Sequence, residues 1–434
     1  MEPALDCVNL RVTEDMNEKL CSPYLRTEVD KALQQMNPYK APGPDGMNAF
    51  FYQKQWDLLG EDVSSTVLGI LHGHDIPSRM NNTFVTLIPK KANAVTMSEY
   101  CPIGLCNVIY TLVTKVITNR LKDLLPNIIS DTQIAFTPGR LITDNILIAY
   151  EIFHSMHGNM GTKGAMTIKL DMAKAYDRVE CPFLRRVMLR MGFRENWVNL
   201  VMGCVQSASF SFLINGIPHG HVIPSRGLRQ GNPISPYLFP FCSEGLSGLL
   251  HRATERESLK GYRICTGAPA VSHLLFADDT IIFCEEELEQ AEEVKLLLQT
   301  YEQASGQMIN ISKTNVLFSK GVKAAKRNRI SLCLDIREIL SYDKYLGVPT
   351  YIGRSKKKPF LYIVDRIKNR LSGWMDRLAS WTGREVLIKA VAQAIPTFAM
   401  SVFLFTKDIC HTIQATINKF WWGHRLEERK LGEE

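Results

Sequence analysis

Apolar and polar positions recur along this chain with two periods, one helical and one strand-like, and the places where one gives way to the other mark its elements. Thr27 to Met36 reads as a short helix, with Thr27 as cap and Val29, Leu33 and Met36 on one face. Phe84 to Ile88 alternates as a strand, and Asn107 to Leu125 reads as a long amphipathic helix. A turn at Phe136 to Arg140 leads into a helical run from Thr143 to Met156. After a glycine-rich break at Gly158 to Gly164, Met166 to Asp171 reads as a strand with Met166, Ile168 and Leu170 on one face. A helix starts near Pro182, which suits a first turn, and stops at Gly192. Ser209 to Asn215 and His221 to Pro224 resemble two strands joined through Gly216 to Gly220, and Tyr237 to Ala253 reads as a helix. Ser272 to Cys284 reads as strand, tight turn, strand. Glu285 to Ala304 reads as a helix with acids in its first turn, an apolar stripe from Leu288 to Tyr301, and Gly306 closing it. Met308 to Phe318 reads as a strand, and Tyr345 to Thr350 as a short strand and turn. Beyond Lys356 to Lys358 the pattern is helical over Phe360–Leu371, Trp374–Leu378, Gly383–Ile395 and Ile409–Trp422, with no internal repeat.

Chemistry concentrates where strands end. Asp278 and Asp279 sit side by side at the tip of the Ser272 to Cys284 hairpin. Adjacent carboxylates repel unless a cation sits between them, so the pair suggests a divalent-metal site that handles phosphates. A solvated turn would account for the pair alone. The apolar flanks and a third carboxylate, Asp171 at the end of another strand, favour the metal. Lys40, in the Lys40 to Gly46 loop, and Lys90, after a strand end, could each face phosphate or solvent. In Ser225 to Pro236, glycines permit close approach to a ligand, Arg226 and Arg229 offer phosphate contacts, and Gln230 offers an amide to a base or sugar.

Charge sharpens this picture. The 434 residues carry a net charge of +7. Residues 320–434 hold 22 Lys and Arg against 11 Asp and Glu, whereas residues 1–319 hold 29 against 33. A basic C-terminal quarter beside a mildly acidic body suggests a polyanion partner, with the acids reserved for metal. The eleven cysteines are scattered without a C-x-x-C pair, which points away from disulfide and zinc frameworks. The start is not a signal peptide, and the most apolar stretch, Ala390 to Phe405, has about 16 residues against the roughly 20 a bilayer requires. It is expected to be a buried helix broken at Pro396, in a protein with no membrane partner and an intracellular location.

In order, Asp171 with Tyr176, Gln230-Gly231, and Phe276-Ala277-Asp278-Asp279 resemble the palm motifs of reverse transcriptases. The flanks resemble the polymerase of non-LTR (LINE-type) retrotransposons of plants, in blocks from Lys40 to Gly46 through Tyr345 to Thr350 and on to Phe420-Trp421-Trp422-Gly423. The resemblance implies an α+β right-hand polymerase, with fingers and an antiparallel palm over residues 1–318 and a basic, mostly helical thumb over 319–434. It implies RNA-directed DNA polymerisation with an RNA template, a DNA primer and dNTPs, and no obligate protein partner. Asp171, Asp278 and Asp279 would hold two Mg²⁺ ions, Mn²⁺ being an alternative, with Asp279 the lesser ligand. Tyr176 would exclude a ribose 2′-hydroxyl; Gln230 and Gly231 would lie against nucleotide and template; Lys90 would contact phosphate; Lys313 would donate a proton to pyrophosphate. Arg226, Arg229, Tyr345, Leu346 and Gly347 would bind template and primer.

Three positions depart from the family pattern: Cys101 where Arg is usual, Gly104 where Ser is usual, and Asn232 where Asp is usual. Replacing Arg by Cys removes a charge that could meet nucleotide or template. The chain also shows no endonuclease-like segment before the fingers and no Cys/His cluster or RNase H-like segment after Trp422. One module or a fragment is therefore expected, unable to transpose alone. The rival reading is a catalytically impaired relic that binds nucleic acid or has no function. A maturase or telomerase-like polymerase fits the Arg226 to Phe239 block less well, and a metal phosphohydrolase would not need Tyr176 or Gln230-Gly231.

Overall fold

The computed structural model describes residues 1–158, 164–342, 344–353, 355–375 and 380–423. Most of the glycine-rich break at Gly158 to Gly164, and the end of the helix expected over Trp374 to Leu378, lie outside the described residues. The strands are β1 (Asn82–Pro89), β2 (Tyr100–Cys106), β3 (Ala165–Leu170), β4 (Ser209–Ile214), β5 (Ile217–Val222), β6 (His273–Phe276), β7 (Asp279–Glu285), β8 (Asn315–Phe318), β9 (Arg337–Ile339), β10 (Lys344–Tyr345) and β11 (Val348–Pro349). They form a four-stranded sheet ordered β2-β1-β4-β5, a five-stranded sheet ordered β6-β7-β3-β8-β9, and the small β10-β11 pair. Many helices surround them, giving a mixed α and β fold.

β3 is the centre of the five-stranded sheet, and both its faces are covered. Met166, Ile168 and Leu170 join Ile282 and Cys284 of β7 in the main core. That core also takes the helices Cys181–Met191, Ser235–Glu255 and Leu288–Ser305, which pack on one another. Ala165, with Ile281 and Phe283 of β7, faces the other way, onto Ala149, Ile152, Phe153 and Met156 of the helix Ile142–Gly158. The alternation on one face was legible in the sequence; the covered second face was not. A third cluster, from Phe360 through Ile367 and Phe403 to Phe420, gathers the C-terminal helices and touches Ile146 and Val348.

Several expected elements shift. β4 and β5 are joined by the two residues Asn215 and Gly216, both left-handed at φ 52° and 82°, so β5 begins at Ile217 and not at His221. Of Met308 to Phe318 only the last four residues are a strand; the rest is a turn that grips the loop after β3. Glu285 ends β7, and the following helix starts at Leu288. The five-stranded sheet is antiparallel except for β8 and β9, which run parallel. β9 (Arg337–Ile339) extends this sheet beyond Phe318. The Ala390 to Phe405 stretch is not one buried helix. A wide helical turn over Ile388–Ala392 precedes the helix Ala394–Met400, which takes Pro396 in its first turn, and Met400 and Leu404 are exposed.

Candidate functional site

The centre of the five-stranded sheet brings the three acids together. β3 and β7 pair as far as Leu170 and Thr280, and one more step of that register sets Asp171 opposite Asp279. β6 and β7 are joined by Ala277 and Asp278 alone, since Phe276 pairs with Asp279. Ala277 is left-handed at φ 55°. The turn after Met308 holds Asp171 from the other side: the Asn310 N–H donates to the Asp171 carbonyl at 2.7 Å, and the Asp171 N–H donates to Thr314 Oγ1 at 3.3 Å. These bonds explain why Asn310 to Thr314 is a turn and not a strand.

Asp278 and Asp279 reach solvent at the hairpin tip, yet the protein around them strips enough water to push both carboxyls above the usual range. The charges of Asp279 and Asp171 add to this at Asp278; at Asp279 the Lys169 ammonium opposes it and Asp171 adds to it. A cavity of about 420 Å³ opens beside them, lined by Lys169, Asp171, Asp279, Lys313, Tyr342 and Lys344. Asp177, in the Tyr176–Arg178 turn, is also pushed up by burial, against the pull of Lys174 and Lys90.

Tyr176 stacks on Phe239 at 4.9 Å, and burial together with the Asp278 charge raises its phenol. The loop carrying Gln230 is fastened to this turn by Gly227 N–H to the Val179 carbonyl (2.8 Å) and Leu228 N–H to the Tyr176 carbonyl (2.7 Å). It is fastened to β2 by Gly104 N–H to the Gln230 carbonyl at 2.8 Å. Gly231, at φ 104°, lies so close to β2 that a Cβ there would be 2.5 Å from the Gly104 carbonyl oxygen. A Cβ on Gly104 would in turn be 2.9 Å from the Gln230 carbonyl oxygen. Glycine at position 104, unusual by the family pattern, is what this approach requires. The Cys101 thiol donates to Gln230 Oε1 at 3.3 Å, and Lys40 donates to the Gly231 carbonyl at 3.3 Å and so braces the same loop.

The other expected residues scatter. Lys313 lines the cavity, Lys90 is exposed beyond β1, and Arg226 is exposed and paired with Glu180 at 3.2 Å. Leu346 and Gly347 form the two-residue turn between β10 and β11, both left-handed at φ 47° and 87°. Two of the expected template and primer residues face inward. The Arg229 guanidinium donates to Asn81 and Thr83 and lies over the Tyr110 ring at 4.6 Å. Tyr345 is buried beneath the acids, where burial and the Asp279 charge raise its phenol. Arg229 turns in to meet the polar groups of Asn81 and Thr83, and spacing along the chain does not reveal that.

Lys169, Lys344 and Gln133 were missed. Lys169 had a signal, since it stands two residues before Asp171 as the one charged position in an apolar strand, on the acid's own side of the pleat. Gln133 had none. It lies in an irregular segment, and only folding brings it to the hairpin. Among the described residues no helix is long and apolar enough to cross a membrane.

Comparison with known proteins shows the family. Residues 88–361 match the family described as reverse transcriptase (RNA-dependent DNA polymerase). The chain is 27% identical over 422 residues to the Transposon TX1 uncharacterized 149 kDa protein of Xenopus laevis, covering 95% of this chain and 31% of that protein. It is 26% identical over 247 residues to the Pol polyprotein of the type-1 retrotransposable element R2 of Nasonia vitripennis, 56% of this chain and 22% of that protein. A 69-residue stretch is 61% identical to an uncharacterized mitochondrial protein of Arabidopsis thaliana, 16% of this chain and 57% of that protein. The chain thus spans less than a third of the Xenopus and Nasonia proteins. With its acids, its Gln230 loop and a family match over most of its length, the chain belongs to the reverse transcriptase family, alongside the polymerases of non-LTR retrotransposons.

Proposed function

We propose that this chain extends a DNA primer on an RNA template. The observation that carries the reading is the placing of Asp171 opposite Asp279, with Asp278 on the adjoining turn. Reverse transcriptases generally use divalent metal ions. The donor set is of the oxygen kind such ions take: the Asp171 charge bears on both Asp278 and Asp279, with Lys169 opposing it at Asp279. Among the described residues no three His, Cys, Asp or Glu side chains stand grouped closely enough to hold a metal ion as they are, so the metal reading rests on the register of the strands and on the chemistry of the three acids. Asp171, Asp278 and Asp279 would hold two Mg²⁺ ions, or Mn²⁺, whose chemistry is to lower the pKa of the primer hydroxyl and to neutralise phosphate charge.

The chain's own residues orient the substrates. The primer 3′-oxygen forms the new bond to the α-phosphorus, the bond to the bridging oxygen breaks, and pyrophosphate leaves. Lys90 meets phosphate, and Lys313 stands at the cavity where a proton to the departing pyrophosphate is needed. Tyr176, stiffened by Phe239, fills the space a ribose 2′-hydroxyl would occupy. Gln230 and Gly231 lie against the incoming nucleotide, Arg226 meets template phosphate, and the Leu346-Gly347 turn meets the primer. The four-stranded sheet and N-terminal helices act as fingers, the five-stranded sheet as palm, and the basic C-terminal helices as thumb on the hybrid backbone. One observation favours an impaired version of this reading: Cys101 gives Gln230 a neutral thiol where the family pattern sets a cation.

Primer extension on poly(rA)/oligo(dT) with Mg²⁺ and dTTP tests the proposal. Extension that an Asp278→Ala, Asp279→Ala variant abolishes supports it. Hybrid binding without extension by the unaltered protein supports the impaired form, and neither binding nor extension refutes both.

A further inference from the structure

Gln133 is fully buried, with 0% of its surface exposed, and its amide is saturated. Oε1 accepts the Ala277 N–H at 3.0 Å and the Ala135 N–H at 3.1 Å. Nε2 donates to Ser243 Oγ at 3.0 Å and to the Ala277 carbonyl at 3.4 Å. A primary amide has two donors and two acceptor sites, and all four are used. The orientation is forced. Two backbone N–H groups can only donate, so the oxygen faces them; Ser243 Oγ donates to the Pro240 carbonyl at 2.8 Å, so it is free to accept.

The residue it clamps is the strained one. Ala277 is left-handed without being glycine, at φ 55°, in a turn where Asp278 is the next residue. Such a conformation costs on the order of 1–2 kcal/mol and persists only where the surroundings dictate it. They do so here from the segment 132–134 and from Asn145. Leu275 N–H donates to the Thr132 carbonyl at 2.8 Å, and Ile134 N–H to the Leu275 carbonyl at 3.2 Å. Asn145 Nδ2 donates to the Leu275 carbonyl at 2.9 Å. Residues 132–134 thus lie parallel to β6 like a short extra strand, with Gln133 beside the Ala277 peptide.

We propose that Gln133 is a positioning residue for the acid hairpin: by holding both the N–H and the carbonyl of Ala277 it sets where Asp278 and Asp279 stand relative to Asp171. The functional half of this rests on the reading of the acids as a divalent-cation site. The structural half does not, and the experiment separates them.

The full chain is compared as unaltered protein, Gln133→Met, Gln133→Glu and Gln133→Met with Ala277→Gly. Met keeps the volume and loses all four bonds; Glu keeps the shape and loses both donors; Gly at position 277 removes the left-handed cost. Hydrogen exchange of the peptide carrying Ala277 is read without metal, and Mn²⁺ affinity by electron paramagnetic resonance without nucleic acid. Gln133→Met should speed exchange at Ala277 with β3 exchange unchanged, and weaken Mn²⁺ about tenfold or more, as loss of an outer-shell partner does. Gln133→Glu should fall in between, and Ala277→Gly should recover most of the affinity. A merely space-filling Gln133 would show no rescue. Unchanged exchange and unchanged affinity in Gln133→Met overturn the proposal. If Gln133→Met does not fold, Gln133→Glu carries the same comparison. Should the unaltered protein bind Mn²⁺ no better than Asp278→Ala, Asp279→Ala, the metal reading fails and the exchange result alone decides the positioning claim.

Discussion

Gly231→Ala tests whether the approach of β2 to the Gln230 loop governs the nucleotide site. Two effects operate at that position. Left-handed backbone, φ 104°, costs a residue with a Cβ about 1–3 kcal/mol. Setting that Cβ 2.5 Å from the Gly104 carbonyl oxygen adds about 1–3 kcal/mol of overpacking. Gly73 separates them, because it has nearly the same φ, 107°, with nothing within 4 Å of a Cβ. The clash has an escape. Breaking the single Gly104–Gln230 backbone bond costs about 1 kcal/mol net, no more than the overpacking it relieves, so the loop moves before the domain unfolds. The stability loss of Gly231→Ala in urea should therefore exceed that of Gly73→Ala by only about 1 kcal/mol. Its functional loss should be far larger, because Gln230 is displaced. The KM for dTTP in primer extension should rise about tenfold, the equivalent of about 1.4 kcal/mol, and that of Gly73→Ala should not change. Gly104→Ser, although it installs the residue usual in the family, should act like Gly231→Ala, since it closes the same gap from the other side. Equal dTTP KM values for Gly231→Ala and Gly73→Ala would refute the reasoning.

Three further outcomes are expected. Arg229→Met should lower stability by about 1–3 kcal/mol, because Asn81 and Thr83 lose a buried partner; it should leave the salt dependence of hybrid binding unchanged, and a shallower slope would return Arg229 to the phosphate backbone. Tyr176→Val should raise UTP incorporation relative to dTTP; an unchanged ratio removes Tyr176 from sugar selection. Glu244 is buried, accepts the Ser130 N–H and hydroxyl at 2.9 and 2.6 Å, and has its carboxyl raised above 4.5, chiefly by burial. A raised carboxyl holds its proton more tightly folded than unfolded, so its contribution is greatest at low pH and declines as pH rises through the folded value. Glu244→Gln should match the unaltered protein well below 4.5 and become relatively more stable toward neutral pH, read from urea midpoints; a difference constant with pH would contradict this.

Periodicity alone placed the strand ending at Asp171, the acid hairpin, and the helices at Cys181–Met191 and Leu288–Ser305, since each depends on apolar spacing and on punctuation such as Pro182, Gly192 and Gly306. Boundaries failed where a bond to a distant segment outranked local pattern. The stretch before β8 alternates like a strand but turns at Asn310 to serve Asp171. Pro218 and Gly220 sit within β5 because an edge strand tolerates them there.

The site divides in the same way. The sequence by itself determined which acids stand at strand ends, because side-chain alternation and turn chemistry are local, and the motif order carried the family. Only the tertiary structure decided their company. Register across β3 and β7 set Asp171 against Asp279; the Gly104–Gly231 contact set the Gln230 loop; Arg229 and Tyr345 turned inward; and Gln133 reached the Ala277 peptide across 144 positions of chain. A residue's type and neighbours fix its local conformation, but a buried polar group must find its partner wherever the fold provides one, and that partner is not written near it in the chain.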